Sequence, residues 1–159
     1  MKQENNKPYA LVCINPKRNT WRVRYDFKKD EYGWHFQEKD FNYRPSVEEI
    51  KTLIIQHYNT LCDEEIISGF RFENVPVWLS AENQFNYKAA FDLAVQTAGK
   101  NLPVTFKFGT ATEPIYRKFS TLDDLKSFFA VAMDYINKTL LKYWRLKDSI
   151  NWKDYEIEE

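Results

Sequence analysis

The side chains in this sequence that could do chemistry are few, and their spacing says more than their number. Paired carboxylates stand at Glu48-Glu49, Glu64-Glu65 and Asp123-Asp124. Glycoside hydrolysis needs two carboxyls facing each other across a cleft, whereas adjacent acids near helix starts complement the helix dipole. The two histidines, His35 and His57, have no second His or Cys at ligand spacing. The sequence therefore assembles no local tetrahedral zinc site, and neither a metal nor another cofactor is expected. Gly33, Gly69, Gly99 and Gly109 are scattered at turns and element ends and form no phosphate-cradling loop. Ser80 and Ser120 fit helix-cap positions and lack the elbow motif of a nucleophilic serine. The expectation is a non-enzymatic protein with no catalytic residues.

What remains is binding surface. Arg22 and Arg24, with Lys17 and Arg18, form a candidate basic face suited to a phosphate or an acidic partner; the plainer reading is a solvated strand face. The five tryptophans, Trp21, Trp34, Trp78, Trp144 and Trp152, could include a sugar-stacking or subunit-docking platform. The candidate partner-docking residues are Phe70, Phe72, Trp78, Trp144 and Trp152. Trp78 falls opposite Val77 and Leu79 in the alternation, so one face of its hairpin needs a second cover. A helix of the same chain and a partner protein are both open as that cover.

The elements that would position these residues follow from periodicity. Residues 1–7 are polar and read as disordered or lightly docked. Tyr9–Ile14 is β-rich and is broken by the turn Asn15–Asn19. Then Trp21, Val23, Tyr25 and Phe27 alternate with Arg22, Arg24 and Asp26, the period of a half-buried strand. A third strand starts at Trp34 and Phe36, and short links predict an antiparallel meander. Ser46 and Glu49 form a capping box for an amphipathic helix of about four turns carrying Val47, Ile50, Leu53, Ile54, Tyr58 and Leu61 on one face.

The stretch Ile66–Ala98 predicts a hairpin turning at Glu73-Asn74, with Pro76 favouring an edge, followed by a helix capped by Ser80. Phe85, Tyr87, Ala89, Phe91, Leu93, Ala94 and Val95 give that helix a broad apolar surface, and it is expected to be the most buried one. Gly99 is placed to end it. A second hairpin, Val104–Phe108 and Ile115–Phe119, precedes a last helix opened by Ser120 and running to about Lys147, near 40 Å long at about 1.5 Å per residue. The fold class is thus α+β: an N-terminal antiparallel meander, helix, β-hairpin, helix, β-hairpin and long C-terminal helix. The expected division is 1–45 for the meander, 46–152 for an α+β domain and 153–159 for an acidic tail, with one compact domain overall as the alternative.

Composition narrows the class. The chain has 159 residues, 23 basic and 23 acidic, so it lacks the basic excess of a duplex binder, and nucleic acid is not expected as partner. Aromatics reach 17%, which suits thin layers bridged by large side chains. Cys13 and Cys62 are expected as free thiols. The N-terminus has no signal-peptide core and no run reaches membrane-spanning length, so synthesis in the cytoplasm without secretion or membrane insertion is expected.

The run IISGFRFENVPVWLSAENQFNYKAAFDLAV, followed by LPVTFKFGTATEPIYRKFSTLDDLKSFFAVAMDYINKTLLKYWRLKDSINW, resembles a domain of unknown function found in bacteriophage tail fibre and tail-fibre-adjacent proteins. The shared order is an Ile-rich run to Gly-Phe, a short hairpin ending in Leu-Ser, a helix, a Phe-Ser-Thr helix start (Phe119-Ser120-Thr121) and a long helix closing near Lys147-Asp148-Ser149-Ile150. It covers about Glu64–Trp152, and the N-terminal part resembles the leader of small phage and prophage proteins. Its motifs are structural, so it carries over no functional residue, and the fibrous shaft that usually precedes the domain is missing from this sequence. The resemblance implies a virion or tail location after assembly in the host cytoplasm, with other phage tail proteins as partners. It also implies a homo-oligomer or docking on a symmetric partner. A carbohydrate- or receptor-binding module and an intracellular tail-fibre assembly chaperone are the alternatives.

Overall fold

The structure, a computed structural model, describes residues 2–4 and 6–156. Among them the order is β1 (Lys2–Glu4), β2 (Leu11–Asn15), β3 (Thr20–Asp30), β4 (Gly33–Phe41), α1 (Val47–Ser68), β5 (Arg71–Phe72) and β6 (Val75–Pro76), then α2 (Ala81–Gln96), β7 (Val104–Gly109), β8 (Pro114–Phe119) and α3 (Leu122–Asp148). This is the α+β order expected from the sequence, with a meander, three helices and two hairpins. The chain divides into two compact units, Met1–Tyr58 with Leu146–Glu159, and Asn59–Arg145.

The first unit is built on an antiparallel sheet of order β1-β4-β3-β2. β2, β3 and β4 are the meander, and β1 adds a strand that the polar N-terminus did not announce: Glu4 pairs with Trp34. Met1 and Asn5 lie outside the described residues. Val23 and Phe36 from the sheet and Ile50, Ile54 and Tyr58 from α1 are buried. The capping box is present, with Glu49 N donating to Ser46 Oγ at 3.2 Å and Ser46 N to Glu49 Oε2 at 2.8 Å. The Ser46 amide, with further bonds from the Tyr43 phenol and the Ser46 hydroxyl, holds the Glu49 carboxyl below its ordinary range.

One expectation fails in this unit. Asp26 does not continue the outward row of Arg22 and Arg24; it is 6% exposed. The β3–β4 register shifts between Tyr25 and Lys28, and Asp26 takes a left-handed backbone (φ 54°) at that bulge, which turns its side chain inward. Past α3 the chain returns to this sheet at Tyr155. Trp152–Tyr155 forms a 3₁₀ turn in which Tyr155 is buried and donates to Arg24 O at 2.9 Å. Residues 157–159 lie outside the described range.

The second unit is an aromatic core. Phe128 of α3 is fully buried and touches Phe70, Phe72, Tyr87, Phe106, Phe108 and Phe119, with ring centroids 5.1 to 6.4 Å away. Each such pair is worth about 0.5–1.5 kcal/mol beyond its area. Both hairpins therefore close on one ring. α1 does not stop near Leu61 but continues to Ser68, so Ile66 is buried as a helical residue, not as part of a hairpin. Its end is fastened to α3: Glu65 O accepts from Tyr135 Oη at 2.7 Å, and Glu65 Oε2 accepts from Lys142 Nζ at 2.6 Å and Tyr143 Oη at 2.8 Å.

α2 is not the most buried helix. Among its residues only Tyr87 and Ala94 are buried, while Phe85 is 71% exposed and Leu93 48%. Its apolar residues lie on two opposite sides, and one side alone meets the core. The cap of α3 is Thr121, whose Oγ1 accepts from Asp124 N at 3.2 Å, one residue beyond the expected Ser120. Neither cysteine forms a disulfide; Cys62 is buried and Cys13 half-buried.

Candidate docking groove at Trp78

The groove is assembled by local rules. Glu73 and Asn74 carry positive φ (49° and 65°), so β5 and β6 turn tightly on themselves. Val77 N donates to Phe70 O and Leu79 N to Ile67 O, both at 2.9 Å, which keeps the chain extended past β6. In an extended chain alternate side chains point to opposite sides. Val77 and Leu79 are accordingly 1% exposed, and Trp78 between them is 56% exposed. The start of α2 then pins this backbone. Ser80 Oγ accepts from Asn83 N at 3.3 Å, Asn83 Nδ2 donates to Trp78 O at 2.8 Å, and Gln84 Nε2 donates to Leu79 O at 2.7 Å.

Beside the indole lies a cavity of about 480 Å³ lined by Ser68, Pro76, Val77, Trp78, Gly109, Thr110 and Ala111. Its far wall is the β7–β8 turn. Gly109 has φ 82°, Thr110 N donates to Glu113 O at 3.1 Å, and Glu113 N donates to Thr110 Oγ1 at 3.0 Å. A side chain at Gly109 would collide with the carbonyl of Glu113. No lining residue is ionisable. The groove can hold an apolar or aromatic group against the indole, and its lining supplies no acid, base or charged nucleophile.

The other expected docking residues scatter. Phe70 is 2% exposed and Phe72 half-buried, both spent on the Phe128 cluster. Trp144, on α3, is 50% exposed and does not line the groove. Trp152 belongs to the other unit, where it sits near Tyr155 and the Lys51 ammonium. Arg22 and Arg24 are paired within their own sheet. The β3–β4 register sets Arg22 opposite Asp40 and Arg24 opposite Glu38. Arg22 grips Asp40 with two bonds of 2.7 and 2.8 Å, and Arg24 lies 3.6 Å from Glu38. These are cross-strand pairs that stabilise a sheet.

A family model described as a domain of unknown function, DUF4376, matches residues 49–159. The chain belongs to that family. No curated protein and no solved structure matches the chain. The whole of the Trp78 groove and of the Phe128 cluster falls inside the DUF4376 segment, while β1 to β4 precede it.

One buried polar cluster was missed in the sequence. Asp26 Oδ2 lies 3.1 Å from His57 Nε2 and 3.2 Å from Lys28 Nζ, and its Oδ1 accepts from Tyr58 Oη at 3.3 Å. Burial, with the Asp26 carboxylate beside it, pushes the Tyr58 phenol well above its ordinary value. Asp26 and Tyr58 border a polar cavity of about 220 Å³ that Lys7 and Asp154 also line. The cluster straddles the start of the DUF4376 segment, with Asp26 before it and His57 inside it. The available signal was His57 and Tyr58, adjacent on α1, but only the bulge in β3 brings them an acid. Among the described residues no group of three or more His, Cys, Asp and Glu is arranged to hold a metal ion. No described helix is long and apolar enough to cross a membrane.

Proposed function

We propose that the chain is a structural or accessory protein of a bacteriophage tail that works by docking onto other tail proteins rather than by catalysis. The observation that carries this reading is Trp78: a large aromatic side chain, 56% exposed, held by a pinned backbone over an uncharged groove. Well-packed interfaces concentrate their binding energy in tryptophan, tyrosine and arginine anchors. A pre-ordered anchor also loses little entropy when a partner arrives. The resemblance of the hairpin–helix–hairpin–helix order to tail-fibre-associated domains supplies the setting, with homo-oligomerisation or a symmetric partner as its usual context.

Mass spectrometry of purified virions tests the setting. Its presence in finished particles fits a structural part or fibre adaptor; absence from particles, with capture of tail proteins inside infected cells, moves the reading to an assembly chaperone. Absence from both ends the tail reading. A glycan-binding module has less support, since stacking of a sugar calls for aromatic platforms around one concavity and the groove presents Trp78 alone.

A further inference from the structure

The polar cavity of about 220 Å³ lies wholly within the first unit, and its wall is biased to one sign of charge. Among the described residues that wall carries two carboxylates, Asp26 and Asp154, against one ammonium, Lys7. Tyr58 and Tyr155 also line it, and burial pushes both phenols well above their ordinary value, so they stay neutral. Phe27, Ile54 and Leu146 supply an apolar part of the wall. Asp26 keeps room for one more donor. An ionised carboxylate offers about four lone-pair positions, and this one has three polar neighbours, His57, Lys28 and Tyr58. Neither His57 nor Lys28 lines the cavity, and the Lys28 side chain is 58% exposed, so water screens much of its charge.

The chain's own Lys7 shows what such a wall holds. Its ammonium lies 3.4 Å from Asp154 Oδ2 and stands over Phe27 and Trp34, 5.2 and 5.9 Å from the ring centroids. A ring face attracts a cation within about 6 Å, so both rings contribute. The contact is loose, since 3.4 Å is long for a charge-assisted bond and the two side chains are 46% and 38% exposed. We propose that the cavity is a binding site for a small organic ammonium ion, a primary amine on a short alkyl stem, with Lys7 as a built-in competitor at its exposed rim. The ammonium head meets Asp26, Asp154 and the Tyr58 hydroxyl, and the stem lies against Phe27, Ile54 and Leu146. An anion would add to the excess negative charge of the wall, and a neutral apolar ligand would leave the buried Asp26 carboxylate without a further donor. The proposal rests on the first unit alone and holds whether or not the chain serves in a tail.

Titration of the isotope-labelled full chain with n-butylammonium chloride at neutral pH, followed by amide chemical shifts, tests it. 1-Butanol and sodium butyrate serve as the neutral and anionic analogues, all at one ionic strength. Saturable shifts centred on Asp26, Tyr58 and Asn151 are expected with the ammonium and not with the other two. Lys7→Ala should tighten the binding at least about threefold, the gain when a competitor that fills the rim about two-thirds of the time is removed. In the Lys7→Ala background, Asp154→Asn should weaken it again by at least about threefold; Asp154 is exposed, so its replacement does not open the core. The proposal is overturned if 1-butanol gives the same shifts, or if the ammonium gives no saturable shift in Lys7→Ala. It is equally overturned if Lys7→Ala binds no tighter than the parent, or if loss of the Asp154 carboxylate leaves the affinity unchanged.

Discussion

Replacing Gly69 by alanine is the sharpest test of how the DUF4376 segment is held together. The backbone at Gly69 has no need of glycine's conformational freedom, since its φ is not among the positive ones. The constraint is space. An added Cβ would overlap the Tyr135 hydroxyl and lie 2.7 Å from Glu65 O, the two partners of the bond that ties α1 to α3. The Glu65 carbonyl also accepts from Gly69 N at 2.9 Å, so it cannot swing away without unwinding the last turn of α1. Tyr135 must leave instead, and its ring packs 5.2 Å from Phe70 in the core. Losing the hydrogen bond at a half-buried site costs about 1–2 kcal/mol, and repacking around the new methyl about 1–3 kcal/mol. Against this, alanine stiffens the unfolded chain for a gain of about 0.4–1 kcal/mol. The net expectation is a loss of about 2–3 kcal/mol in urea unfolding followed by far-ultraviolet circular dichroism. Tyr135→Phe removes the obstructing hydroxyl, so Gly69→Ala should cost less in that background than in the parent. A neutral or stabilising Gly69→Ala would refute the packing argument.

Three further expectations are independent of that one. Asp26→Ala strands His57 and Tyr58 and sets alanine on a left-handed backbone, so it should destabilise the chain by about 3–5 kcal/mol; Asp26→Asn, which tolerates that backbone, should cost clearly less in the same urea titration. Trp78→Ala should change stability by less than about 1 kcal/mol, the indole being half-exposed, while abolishing capture of the docking partner in a pull-down. Glu65 sits below the ordinary carboxylate range: burial opposes this, but the Lys142 and Tyr143 hydrogen bonds outweigh it. Because its folded value is depressed, the stability it supplies is complete above about pH 4.3 and is lost as pH falls through the lower folded value. Glu65→Gln should therefore lower the neutral-pH midpoint and flatten the decline below about pH 4.3, read from urea midpoints against pH.

Local signals in the sequence carried the order of elements well. Ser46 with Glu49, Glu73-Asn74, Pro76 and Ser80 each depend on chemistry within a few residues, and each plays the role that chemistry assigns. What failed depends on residues far apart. Phe70 was expected at a docking surface, but the ring that covers it, Phe128, arrives 58 positions later, from a different element. Asp26 broke the alternation because a bulge slips the register by one, and period-two reading has no way to see the slip. In α2 the apolar residues are split between a packed side and an exposed side, a division that their number alone does not reveal. The run Ile66-Ile67 favours strand by composition, yet the last turn of α1 takes it because Tyr135, Lys142 and Tyr143 of α3 reward a helical Glu65. The groove beside Trp78 was half legible. Alternation put the indole outward, but the opposing wall comes from the turn after Gly109, and no local pattern joins the two.

The docking account is tested most directly by affinity capture of the tagged full-length chain from phage-infected cells, with mass spectrometry of what comes with it, run side by side for the parent and Trp78→Ala. The account predicts that phage tail proteins co-purify with the parent and are depleted at least about tenfold with Trp78→Ala, the variant remaining folded. Recovery of no tail protein by the parent, or equal recovery by both, would contradict it.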